Sequence, residues 1–265
     1  MNIVLDHIVH FVKEHPKMAI KKWEERGYQA VMGGSHKNWG TFNSLLYVGD
    51  AYIEYLAIEN KQIAAASDNP LIAQCVADLT NGEGLGQICF RTDNIIRLKE
   101  QLESKGCVTY PIFNGSRKRQ DGSIINWKML FIKNRNSLPY PFFIEWEQPD
   151  NSRMCELQKL GFLDEKLLKH TIQSIHIAVH NCEKTANDWA ELFQFPISNL
   201  STEKHRGLKI AKLQAGQVEI IFLEPLNKEC DSYSILKRRG ERHFEISFNP
   251  MLENHPFYFL GAYYQ

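Results

Sequence analysis

The chain has 265 residues, 43% of them hydrophobic, enough to bury a substantial core and better suited to two units of ordinary size than to one. Its 31 Lys and Arg balance 31 Asp and Glu, so zero net charge excludes an overall pull toward nucleic acid or anionic lipid and leaves a small-molecule substrate or ligand as the expected partner. No apolar run reaches about 18 residues, and six cysteines (Cys75, Cys89, Cys107, Cys155, Cys182, Cys230) form no C-x-x-C pair; the sequence therefore predicts no signal peptide, no membrane span, a cytoplasmic location and reduced thiols.

Leu5 to Val12 reads as a strand, and Pro16 opens a helix-like segment (Met18, Ile20, Trp23) that stops at Gly27. Met32 to Gly40 reads as a polar, glycine-containing connection. Two β-rich runs follow, Asn43 to Val48 and Tyr52 to Ile58, joined by Gly49-Asp50 as a tight turn. The order then returns: strand Gly86 to Thr92, Asp93 as N-cap of a helix to Lys105-Gly106, and strands Trp127 to Ile132 and Phe142 to Glu147. Pro149 onward reads as a linker. A third unit has strand Ile172 to Val179, a helix around Thr185 to Phe193, and strands Leu208 to Leu213 and Val218 to Leu223. A fourth begins at His243 to Phe248 and is truncated. The expected organisation is two modules over 1-150, a linker over 151-170, and a third module plus a truncated fourth over 171-265.

This internal repetition carries the architecture. The first strands place His7, Gln87, His176 and Glu245 at similar positions, and the last strands place Glu54, Glu145 and Glu219 among β-formers. Alternate strand residues share a face, so Gln87, Cys89 and Arg91 point one way, and Ile88 and Phe90 pack under the helix on the other. The polar face then lines a concave sheet. A strand His is more often a hydrogen-bonded structural residue than a ligand. A His and a Glu from one module with a like pair from its partner nevertheless suit a divalent transition metal with open positions for substrate. The candidate ligands are His7, Glu54, Gln87 and Glu145.

The βαβββ modules with first-strand His or Gln and last-strand Glu resemble the vicinal oxygen chelate superfamily. More narrowly, Gly33-Gly34-Ser35-His36-Lys37-Asn38-Trp39-Gly40-Thr41-Phe42-Asn43 with Gly49 to Glu54, then Arg117-x-Arg119-x-Asp121-Gly122, Trp127 and Pro141 to Trp146, resemble its bacterial glyoxalase-like group. The resemblance covers about the first 150 residues well and the remainder through the module pattern alone. It implies an α+β fold of tandem βαβββ modules, whose curved mixed sheets form cup-shaped half-barrels with helices outside. It also implies a divalent metal (Zn, Ni, Mn, Co or Fe) on His7, Glu54, Gln87 and Glu145. The second half, with His176, His180, His243, Glu219 and Glu245, departs from that pattern and is expected to lack a complete metal site. Whether the first module pairs with the second or the fourth stays open.

Around the predicted cup, His36, Trp39 and Asn43 mix aromatic surface with hydrogen-bonding groups, as ligand pockets do, although most such loops merely connect. Arg91 suits a substrate carboxylate or phosphate, or equally a salt bridge to a neighbouring acid. Arg117, Lys118 and Arg119 precede a β-turn signature and read either as a solvated hairpin tip or as a lid for an anionic substrate. His10, opposite His7, reads as a core histidine. The aromatic stretch Phe257 to Tyr264 completes a sheet edge or forms a homodimer contact. Two functions compete. One is a metal-dependent enzyme of isomerase or lyase type, with Glu54 or Glu145 moving a proton. The other is a non-catalytic protein holding an antibiotic or aromatic compound against Trp39, Tyr52, Trp127 and Phe143. A structural protein with vestigial cups is a third reading.

Overall fold

Strand β1 (Ile3–Phe11) opens the fold; from His7 onward its side chains alternate as a period of two requires, with His7, Val9 and Phe11 facing the cup and Ile8 the larger core, which Leu5 also enters from before a shift in register. In this computed structural model, residues 3–118, 124–133 and 137–265 are described. Helix α1 (Lys17–Glu24) follows, then β2 (Val31–His36), β3 (Thr41–Val48) and β4 (Ala51–Ile58). The segment read as a polar connection is thus partly a strand, because pairing with β3 supplies the order that its glycines lack locally. Gly40 and Gly49 have φ of 63° and 58°, which non-glycine residues resist, and they make the two turns around β3.

Helices α2 (Lys61–Ala65) and α3 (Pro70–Asn81) come next, capped by Asn60 and Asn69; both lie in a stretch left unread in the sequence. The second module is β5 (Gly84–Thr92), α4 (Ile95–Ser104), β6 (Phe113–Lys118), β7 (Ile124–Leu130) and β8 (Phe142–Trp146). The α4 N-cap is Asn94, whose side chain accepts from Arg97 N, rather than Asp93. The eight strands form one sheet in the order β2-β3-β4-β1-β5-β8-β7-β6, so the first module pairs with the second through antiparallel β1 and β5. The curved sheet nearly closes. A Cβ added to Gly33 on β2 would meet Arg117 Nη1 of the far edge strand β6 at 2.7 Å.

Helix α5 (Asp150–Lys159) occupies the expected linker. A second sheet follows from β9 (Thr171–Ala178), α6 (Cys182–Phe193), β10 (Ile197–Glu203), β11 (Leu208–Ala215), β12 (Val218–Pro225), α7 (Asp231–Arg239), β13 (Arg242–Asn249), β14 (Phe257–Phe259) and β15 (Ala262–Tyr264), in the order β10-β11-β12-β9-β13-β15-β14. The fold is α+β with two mixed sheets. One continuous core joins the helix-bearing faces of both, from Trp23, Tyr55 and Phe90 to Trp189, Phe222 and Tyr264. The aromatic C-terminal segment completes the second sheet and enters this shared core, where Phe259 lies 4.6 Å from the Trp23 ring. Among the described residues no helix is long and apolar enough to cross a membrane.

Candidate functional site

Cross-strand register fixes the floor of the first cup. One row runs Tyr47, Tyr52, His7, Cys89, Phe142; the next runs Leu45, Glu54, Val9, Gln87; Asn43 and Leu56 stand one step further. Between Leu5 and His7 the pairing of β1 with β5 shifts, leaving Asp6 as the extra residue of a bulge. In a regular strand, Asp6 and His7 would face opposite ways. Here they touch.

His7 Nδ1 lies 2.7 Å from Asp6 Oδ1, and His7 Nε2 lies 3.5 Å from Glu54 Oε2. Asp6 is fully buried. Burial pushes its carboxyl up, but the hydrogen bond from His7, the charge of Arg153 and the Trp146 indole outweigh that and hold it well below the usual carboxylate range. An ionised carboxylate only accepts, so the proton on Nδ1 is donated to Asp6 and Nε2 is aimed at Glu54. The ring is stacked on Tyr52, with centroids 4.5 Å apart, and meets the edge of Phe142 at 5.5 Å. Glu54, itself buried, accepts from Asn43 Nδ2 at 2.6 Å. The result is a fixed polar chain, Asp6–His7–Glu54–Asn43, across a largely apolar floor.

Above it lies a cavity walled by Trp39, Trp127, Trp146, Tyr52 and Phe142, with Leu71 and Ile72 from α3 and Leu157 and Arg153 from α5. It measures about 60 Å³, on a scale where one water needs roughly 10–15 Å³. It therefore suits a ligand of few atoms. His36 lines it, and burial holds its imidazole neutral, with the pKa lowered to about 4. Arg153 is positioned by Asp6 Oδ2 at 3.5 Å and sits 4.9 Å from the Trp146 ring.

The structure brings together His7, Glu54, His36, Trp39, Asn43 and Arg117 of the expected site. Arg119 lies outside the described residues. Arg91 is not a cavity residue: its guanidinium is taken up by Asp150 (2.6 Å), Asp50 (3.1 Å) and Leu5 O (2.8 Å), the salt-bridge alternative. Phe143 points into the shared core, and Phe142 takes the wall position instead. Four residues of the candidate site escaped the sequence reading: Asp6, Asn69, Trp146 and Arg153. The Asn69-Pro70 pair is a helix-start signal that could have flagged Asn69; the others depend on a bulge and on the placement of a linker helix.

The expected metal set does not assemble. Glu54 stands opposite Val9, two residues beyond His7; two residues beyond Gln87 is Cys89, whose partner on β8 is Phe142. The counterpart of Glu54 is therefore Phe142, three residues before Glu145. Glu145, on the reverse face between Ile144 and Trp146, accepts from Ile95 N at 2.6 Å and caps α4. Gln87 is buried on the cup face but does not line the cavity. A different trio, Asp6, His7 and Cys89, has potential ligand atoms within 4.8 Å of one another. Its partners argue against a cation there. Both Asp6 oxygens are engaged, by His7 and by Trp146, Arg153 and Arg91, and burial pushes the Cys89 thiol well up, so it stays protonated. Engaged in this way, Asp6, His7 and Cys89 do not fit a resident divalent metal.

The second cup is filled. Ile235 and Leu236 of α7 pack against Ala178, Leu208, Ile210, Ile221, Leu223 and Phe244. Glu219 pairs across from Ser174 and binds Lys212 at 3.1 Å, so it does not join His176, whose ring bonds Ser174 Oγ (3.0 Å) and Glu245 (3.2 Å). His243 bonds Gly86 O of the first half at 3.0 Å, and His180 is exposed.

Among solved structures, a hypothetical protein from Staphylococcus aureus superposes with a TM-score of 0.80 at 21% identity, over 99% of this chain and 98% of that one. A mutant of 4-hydroxymandelate synthase from Streptomyces coelicolor gives 0.60 at 9% identity, over 93% and 70%. Methylmalonyl-CoA epimerase from Mycobacterium tuberculosis gives 0.41 at 19% identity, over 57% and 91%. At such identities the first two share the fold alone, and the third is too distant to carry an argument. A search among proteins of curated function finds no match. Residues 5–193 match the family described as a glyoxalase-like domain, and with the paired modules of its first sheet the chain belongs to that family, within the vicinal oxygen chelate superfamily.

Proposed function

We propose that the first cup is the active site of a proton-transfer enzyme of isomerase or lyase type, acting on a small oxygen-bearing compound with His7 and Glu54 as its acid–base pair. One observation carries the reading: His7 is held by an ionised buried Asp6 at Nδ1 and faces Glu54 at 3.5 Å through Nε2, at the wall of a narrow cavity. A carboxylate behind a histidine fixes its tautomer and orientation and stabilises its protonated form, as catalytic dyads require. A proton leaves the substrate to one member of the pair and is returned by the other, so two positions on a bound molecule can exchange a proton with solvent excluded. Asn43 fixes the Glu54 carboxylate, and Tyr52 and Phe142 fix the imidazole plane.

The test is deuterium wash-in followed by proton NMR, on a panel of small hydroxy- and oxo-carbonyl compounds. Wild type is expected to exchange at least one of them. His7→Gln and Glu54→Gln are each expected to slow that exchange about 10²–10⁴-fold, the usual weight of general acid–base catalysis. A second reading, a non-catalytic binding protein, is favoured by the three indoles around the cavity. Saturable binding of a panel compound with no exchange by wild type would establish that reading and sink the first.

A further inference from the structure

The cavity is polarised along the strands. His7 and Glu54 occupy its middle, whereas Asn43 and Leu56 lie one side-chain step beyond Glu54, on the way to His36 and Trp39. Four polar atoms of cavity-lining residues have no partner, and one of them, Arg153 Nε, belongs to a guanidinium already held by Asp6 and Asp150. Asn69 is 1% exposed, with its Oδ1 committed to Leu71 N and its Nδ2 unpaired. Arg117 Nε is buried and unpaired, and among the described residues no carboxylate pairs with this guanidinium. Asn43 Oδ1, the last of the four, lies on the Arg117 side: the point where a Gly33 Cβ would stand is 2.0 Å from it and 2.7 Å from Arg117 Nη1. Glycine at 33 is what leaves this approach open.

A buried amide donor and a buried guanidinium Nε without acceptors are costly unless a ligand supplies them. The acceptor that matches a guanidinium best is a carboxylate, which it binds through two parallel N–H groups. His36, neutral beside them, cannot be that anion. The apolar remainder of the cavity is walled by Trp39, Trp127, Trp146 and Phe142 and admits few atoms.

We propose that the substrates are short oxo acids, with the carboxylate on Arg117 and Asn69 and the enolisable carbon and carbonyl facing His7 and Glu54. The inference rests on the proton-transfer reading. In the step it implies, a C–H bond next to the carbonyl breaks and its proton passes to ionised Glu54. The electron pair moves into the carbon–carbon bond, and the carbonyl oxygen takes a proton from His7 Nε2. The product is the enol, with Glu54 protonated and His7 neutral; return of the Glu54 proton to the same carbon and of the hydroxyl proton to His7 Nε2 restores both groups.

The test is calorimetric titration with 2-oxobutyrate and with butanone, its counterpart without the carboxylate. The proteins are wild type, Arg117→Gln, Arg117→Lys and Glu54→Gln, each checked for native circular dichroism. The acid is expected to bind wild type at least ten times more tightly than the ketone, and Arg117→Gln to remove that preference. Arg117→Lys should recover part of it, and Glu54→Gln should keep it. Equal binding of acid and ketone, undiminished acid binding by Arg117→Gln, or no acid binding by wild type would each overturn the assignment. The two readings fail separately. Exchange of neutral ketones that depends on His7 and Glu54, without preference for acids, removes the substrate class alone. Arg117-dependent acid binding without exchange removes the proton transfer alone.

Discussion

At the scale of single residues, the same side chain does opposite work on the two faces of β1. His7 faces the cavity, whereas His10 is buried in the shared core, where Nε2 reaches Leu260 O at 2.6 Å and Nδ1 reaches Tyr264 OH at 2.8 Å. A carbonyl only accepts, so His10 Nε2 carries the proton and Nδ1 takes one from Tyr264. That fixes the direction of the whole chain: Trp23 Nε1 donates to Tyr55, Tyr55 to Tyr264, and Tyr264 to His10. Burial keeps His10 neutral, its pKa lowered to about 3. Removing one hydroxyl leaves two buried partners unpaired, so Tyr264→Phe is expected to cost about 1–3 kcal/mol. Urea denaturation at pH 8 measures this, and a change below about 0.5 kcal/mol would show that the chain is not intact in solution.

At the scale of elements, β8 shows why a residue motif does not transfer between modules without its register. Tyr52-Ile53-Glu54 and Phe143-Ile144-Glu145 look alike in sequence, yet Glu54 faces the cup and Glu145 faces the start of α4. An acid at a helix N-terminus accepts from an unpaired N–H and meets the positive end of the macrodipole. Glu145→Gln is therefore expected to lower stability by roughly 0.5–1 kcal/mol while leaving proton exchange and ligand binding as in wild type. Metal content by mass spectrometry should be far below one per chain, before and after incubation with Zn or Ni. Near-stoichiometric metal lost in Glu145→Gln would restore the four-ligand site. Helix α5 is the other instructive element. Its sequence reads as a linker, but Arg153 and Leu157 close one side of the cavity, and Asp150 ties the helix to Arg91.

At the scale of the whole molecule, the two halves are bound by polar as well as apolar links. Arg242 holds Asp78 through two bonds of 2.9 Å, and Arg239 donates to Leu85 O at 2.9 Å. Three buried histidines and the half-buried His176 share one electrostatic consequence. Desolvation lowers the pKa of His10 and His243 to about 3, and of His36 and His176 to about 4, from 6.5. Between those values the unfolded chain takes up protons that the native one refuses, so stability falls as pH drops from about 6.5 toward 4 and is level above about 7. Below 3.8 the depressed carboxyl of Asp6 adds a loss of the same sign. Urea midpoints from pH 8 to 4.5 test this; a midpoint that stays constant or rises on acidification contradicts it.

The sequence by itself determined the module order, most of the strands and the face of each first strand; it offered His7 and Glu54 for one cup, and left His36, Trp39 and Asn43 between pocket and plain loop and Arg117 between lid and hairpin tip. Order, strands and faces follow from period-two alternation, turn residues and internal repetition, all local properties. Tertiary structure alone decided that the first module pairs with the second, that a bulge turns Asp6 onto His7, that Phe142 rather than Glu145 is the partner position of Glu54, and that Arg91 is spent on ion pairs. The physical reason is common to all four. Register, bulges and ion pairs are set by the strand or helix that lies alongside, and that neighbour is distant in the chain: β5 beside β1, α5 beside Arg91.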